Sequence, residues 1–105
     1  MILNVMADGQ SFPLEVPDNM LNEAKPIFDK MDADMDKGWQ MGRDWLENPD
    51  PEQRCQIAAD KLLTALETEN RNIAVMMAAY ILSKAPHIET IVIDTTGELT
   101  ETHFM

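Results

Sequence analysis

The chain is poor in bases. Eight lysines and arginines face nineteen aspartates and glutamates, a formal net charge of −11. Such a surface repels phosphate backbones and anionic lipid headgroups, which argues against nucleic acid and membrane surfaces as partners; it favours encounter with a basic protein face, though acids in such excess more often simply solvate the surface. Cysteine is nearly absent too: Cys55 stands alone and has no internal disulfide partner. The opening, MILNVMADG, carries neither a basic n-region nor a long apolar core, so it does not read as a secretory signal. The longest apolar run, Ile73 to Leu82, is about half the length of a membrane span. These absences together predict a cytoplasmic protein with a reduced thiol. Catalytic signatures are missing as well. There is no glycine-rich phosphate loop, no HExxH and no Ser–His–Asp set, and no cofactor is predicted.

What is present is ordinary globular composition, 45% hydrophobic and 26% charged over 105 residues, which fits one domain spanning 1–105. Two short apolar runs flank Asp8-Gly9, a pair that accepts positive φ and predicts a β-hairpin. Phe12, Leu14 and Val16 share one face of its second strand, and Pro13, which has no N–H for a ladder, places that strand at a sheet edge. Asp18 or Asn19 caps a first helix, which Pro26 either kinks or restarts near Lys25, and whose pattern runs to about Asn48. Asp50-Pro51-Glu52-Gln53 opens a second helix, to about Thr68, and a third covers Ile73 to Ala85. The tail returns to β character. Ile91-Val92-Ile93 reads as a strand covered on both faces, and Thr96-Gly97 as a turn into a last strand, Leu99 to Phe104. The expected fold is therefore a two-layer α+β domain of order ββαααββ: an N-terminal hairpin, three central helices, a C-terminal hairpin and a mainly antiparallel sheet.

The segment GQSFPLEVPDNMLNEA resembles the opening hairpin and helix of β-grasp domains over about the first quarter of the chain. The iron–sulfur branch of that fold holds its cluster through cysteines that this chain lacks, so the resemblance implies fold and no function.

The stretch MDADMDKGWQMGRDW, from Met31 to Trp45, is the most specific part of the sequence. Asp32, Asp34 and Asp36 match ligand positions 1, 3 and 5 of a calcium loop, but Lys37 replaces the glycine of position 6 and Arg43 the bidentate acid of position 12. Continued as a helix, the segment gathers Ile27, Phe28, Met31, Met35, Gly38, Trp39, Gly42, Trp45 and Leu46 into one stripe about 120° wide. Asp32 and Asp34 then point about 160° apart, while Asp32 and Asp36 lie one turn apart and form the candidate divalent-metal pair. On the same helix the two glycines predict close packing, and Trp39, Met41 and Trp45 form the candidate interaction patch.

The remaining candidates carry less chemistry. Nine methionines, among them Met20, Met31, Met35, Met76 and Met77, predict an adaptable core. Cys55 shares an apolar stripe with Ala59, Leu62 and Leu66 and reads as a small buried hydrophobe rather than a nucleophile. His87 and His103 fall near opposite ends of the predicted C-terminal hairpin, without a third ligand or an acid–base partner. The third helix is apolar all round, so more than one side needs cover; the sheet and the first two helices could supply it, as could a second subunit, and the expectation is a homodimer through residues 73–85. The expected function is a small acidic module acting by protein–protein contact, accessory or regulatory rather than catalytic. The alternatives are a divalent-metal protein using Asp32 and Asp36, or an enzyme without a recognisable motif.

Overall fold

A computed structural model of the chain describes residues 1–41, 44–96, 98 and 101–105, with Met41 and Asp44 in backbone only. Strand β1 (Ile2–Ala7) turns through Asp8 and Gly9, both at positive φ, into β2 (Gln10–Glu15). Helix α1 (Met20–Glu23) is a single turn, and α2 (Lys25–Asp36) starts afresh with Pro26 in its first turn. That position suits proline, because the first helical N–H groups have no intrahelical acceptor to lose. Two three-residue strands follow, β3 (Trp39–Met41) and β4 (Asp44–Leu46). Helix α3 (Pro51–Glu67) begins with a full capping box: Asp50 accepts from the Gln53 N–H while the Gln53 side chain accepts from the Asp50 N–H. Helix α4 (Arg71–Lys84) is capped by Asn70, and β5 (Thr90–Ile93) and β6 (His103–Phe104) complete the described elements.

The main sheet runs β2-β1-β5-β6. Its β1–β2 and β5–β6 pairs are antiparallel, as expected from two terminal hairpins, but the hairpins meet through a parallel β1–β5 pair, Asn4 opposite Thr90 and Ala7 opposite Ile93. Pro13 does sit on an edge strand. Alternation along β1 buries Leu3, Val5 and Ala7 and exposes Ile2, Asn4 and Met6. Ile91 and Ile93 join the buried side, while Val92 stays half-buried on the other. The expectation of a strand covered on both faces is therefore corrected: helices cover one side of this sheet. Of the predicted last strand, Leu99 and Thr100 lie outside the described residues, as does Gly97 of the predicted turn. There Asp94 gathers the segment instead, accepting from the N–H groups of Thr96 and Glu98.

Between sheet and helices lies a continuous core from Leu3, Val5, Leu14 and Ile91 to Leu62, Ala78, Tyr80 and Ile81. Met35 and Met77 are buried in it, and Met20, Met31 and Met76 pack against its edge. Helix α4 is enclosed within the chain. Residues Ala74, Val75 and Met77 to Leu82 are buried against α3, α1 and β2, and of its large apolar side chains only Ile73 is exposed. The apolar circumference that suggested a homodimer through residues 73–85 is thus covered without a second subunit.

Candidate functional site

Helix α2 ends at Asp36 rather than running on to Asn48. Gly38, at φ +103°, turns the chain out of the helix, a conformation open to glycine and strained for residues with a Cβ. The predicted stripe is accordingly cut, and the residues beyond it form a hairpin. Trp39 pairs with Leu46, Gln40 with Trp45 and Met41 with Asp44. Directly paired residues share a face and neighbours along a strand alternate, so Trp39 and Trp45 lie on opposite faces. Trp39 is half-buried against the core, with the Lys61 ammonium 4.5 Å from its ring centroid. Trp45 faces out and is 59% exposed. Its indole rests on Gly38 so closely that a Cβ there would lie 2.4 Å from Cζ2 and 2.8 Å from Cε2. Close packing at Gly38 is thus real, but its neighbour is the chain's own Trp45. Of the predicted patch of Trp39, Met41 and Trp45, the two tryptophans are separated by the hairpin, and the Met41 side chain lies outside the described residues, as do Gly42 and Arg43.

Asp32 and Asp36 do share one side of α2, and what they meet there is a guanidinium. Arg54, in the first turns of α3, donates from Nη1 to Asp32 Oδ1 at 3.1 Å and to the Asp32 carbonyl at 3.2 Å. Its Nη2 donates to the Asp36 carboxylate and to Asn48 Oδ1 at 3.0 Å, and its Nε to the Pro49 carbonyl at 2.8 Å. Asp32 also accepts from the Tyr80 hydroxyl at 2.6 Å and from Lys84 Nζ at 2.7 Å, two α4 residues one turn apart. A fixed cation therefore bridges the two carboxylates proposed as ion ligands. Among the described residues no three His, Cys, Asp or Glu side chains are grouped to hold a metal ion. Asp34 pairs instead with Lys30 on the solvent side.

The electrostatics follow from these contacts. Burial by itself raises the Asp32 pKa, but hydrogen bonds from Lys84, Tyr80 and Arg54 outweigh it and leave the carboxyl below its ordinary value. Arg54 is raised, chiefly by its bond to Asp36. Burial, and then donation to Asp32, keep the Tyr80 hydroxyl protonated far above its usual range. The sequence shows the Asp32/Asp36 spacing, and Tyr80 and Lys84 repeat it on α4. That Arg54 closes the set depends on how three helices pack, which no local pattern records.

A cavity of about 430 Å³ adjoins this network, lined by Glu52, Cys55, Lys84, His87, His103 and Phe104 among others. The two histidines border one cavity, but they are not cross-strand partners: His87 precedes β5, and His103 pairs with Val92. Cys55 is buried, and that burial pushes its thiol up to about 11, so it is protonated at neutral pH. Nucleophilic chemistry needs the thiolate. The arrangement holds the thiol in its unreactive form.

Comparison of the chain with protein-family models, with curated proteins and with solved structures finds no match. Among the described residues no helix is long and apolar enough to cross a membrane.

Proposed function

We propose that this chain is a non-catalytic accessory module of the cytoplasm that works by protein–protein contact, docking through the hairpin of β3 and β4. The observation that carries this reading is Trp45. A tryptophan more than half exposed, on a small sheet apart from the main one, keeps apolar surface in water that the fold leaves uncovered. Tryptophan is also the residue most enriched among the few that dominate binding energy at interfaces. The excess of nineteen acids over eight bases supports the same reading, because it favours encounter with a basic protein surface. The polar cluster around Asp32 serves as the clamp that fixes α2, from which the hairpin departs.

Affinity capture with the intact protein, compared by quantitative mass spectrometry with Trp45→Ala and with Ile27→Ala, tests the reading. Ile27 is exposed on α2 and serves as the control. The expected result is a protein retained by the wild type and by the Ile27 variant, and lost from the Trp45 variant. The same set of proteins on all three would overturn docking through this hairpin.

A further inference from the structure

We propose that Trp45 is the seat for a cationic side chain, an arginine or lysine from a basic segment of the partner, stacked against its indole ring. This rests on the docking function proposed above and adds the chemistry of what docks. Three observations carry it.

The ring is seated rather than free. Contact with Gly38 along Nε1, Cε2 and Cζ2 fixes its position, while 59% of the residue stays open to solvent. A ring already held in place loses little freedom when a ligand settles on it.

The second observation lies on the other side of the same hairpin. There Trp39 already binds a cation, the Lys61 ammonium at 4.5 Å from the ring centroid. A tryptophan face attracts cations through its quadrupole, and it does so more strongly than tyrosine or phenylalanine. One tryptophan of the hairpin is thus supplied with a cation by the chain itself. Among the described residues Trp45 has none.

The third is charge. Glu47, two residues after Trp45, is exposed; Asp34 and Asp36 at the end of α2 are already paired with Lys30 and Arg54, so the attraction comes chiefly from the acidic excess of the whole chain. With a net charge of −11, a segment bearing arginines or lysines is drawn to the molecule, and an acidic or neutral one is not. A purely apolar pocket on the partner would accept the ring too, but would gain nothing from the net charge of −11.

The test titrates the full chain with a synthetic peptide of alternating arginine and serine, and with the same peptide carrying neutral citrulline for arginine. Calorimetry gives the affinity, and the indole N–H resonances separate Trp45 from Trp39. The arginine peptide is expected to bind and to shift the Trp45 resonance. Trp45→Leu, which keeps an apolar side chain but removes the ring, is expected to weaken binding roughly 5- to 30-fold, and Trp45→Phe to retain part of it. Because the residue is exposed, both variants are expected to fold, and circular dichroism confirms this. Equal affinity for wild type and Trp45→Leu would mean attraction by net charge alone and would overturn the inference. So would equal binding of the citrulline peptide, or no binding of either. A partner whose capture depends on Trp45 but that is indifferent to the arginine peptide in competition would leave docking intact and remove the cation.

Discussion

Replacing Arg54 by alanine removes five hydrogen bonds that join α2, α3 and the 48–49 turn. Their worth is unequal. The Asp36 side chain is 62% exposed, so water recovers it, and that bond behaves as a surface ion pair of about 0–1 kcal/mol. Asp32 is only 21% exposed but keeps Lys84 and Tyr80, so losing one charge-assisted bond there costs about 1.5–3 kcal/mol. The Pro49 carbonyl loses its Arg54 donor, worth about 1 kcal/mol net, and the Asp32 carbonyl is already within a helix. The exposed Asn48 side chain is recovered by water, so the expected total is about 2.5–5 kcal/mol, a large share of the roughly 5–15 kcal/mol that holds a domain of this size together. Urea unfolding followed by circular dichroism measures it. Arg54→Lys keeps the charge but not the planar fork, and should recover less than half of the loss. Strong salt should change the difference little, because the Arg54 side chain is 12% exposed and its pairing with Asp32 is shielded from screening ions. A loss below about 1 kcal/mol for Arg54→Ala would refute the view that this residue locks the helices together.

Gly38→Ala forces a Cβ into a left-handed conformation and against Trp45, with an expected cost of about 1–3 kcal/mol, readable as a lowered thermal midpoint together with altered tryptophan fluorescence. The folded state holds Asp32 below its ordinary pKa of 3.8, so its contribution is complete above that pH and is lost as pH falls through the lower folded value. The fall in urea midpoint with acid should therefore be steeper in wild type than in Asp32→Asn, and equal slopes would contradict the network. Divalent ions must displace Arg54 to reach Asp32 and Asp36 together, so calorimetry with calcium, magnesium or manganese at millimolar concentration should give no binding heat with wild type. Saturable heat there, lost in Asp36→Asn, would restore the metal reading. Native Cys55 should react with a thiol reagent at neutral pH much more slowly than the unfolded chain, since burial holds its thiol up at about 11.

Local chemistry decides several elements of this fold. Asp8-Gly9 fixes a hairpin, Pro13 restricts its strand to an edge, and Asp50-Pro51-Glu52-Gln53 holds every atom of the capping box that starts α3. Over residues 37–48 two periodicities coexist in the sequence. Trp39, Gly42, Trp45 and Leu46 satisfy a helical repeat, whereas Trp39, Met41 and Leu46 also fit paired strands in antiparallel register. Gly38 breaks the tie through its backbone angle, and a glycine in sequence does not disclose whether it will adopt one. The candidate site divides in the same way. Asp32 and Asp36 were legible as neighbours on a helix, but their partners come from residues 54, 80 and 84, so what engages the pair is a tertiary fact. The covering of α4 is tertiary too: an apolar helix calls for cover, and its sequence does not say whose.

The parallel pairing of β1 with β5 also bears on how the molecule is made. Asn4 meets Thr90, so the middle of the sheet joins two segments that are translated well apart in time. At about 5–20 residues per second, roughly 4–15 seconds separate the emergence of the β1–β2 hairpin from that of its central partner. Throughout that interval the nascent chain presents one unpaired edge of β1, and until α3 and α4 have followed, Leu3 and Val5 also lack the helices that will bury them. Such an edge invites pairing with other chains. Acids are sparse in these first two strands, Glu15 being the one acid within them, so charge gives the growing hairpin little protection. The vulnerable stage in the life of this protein falls on the ribosome, before α3 and α4 are complete.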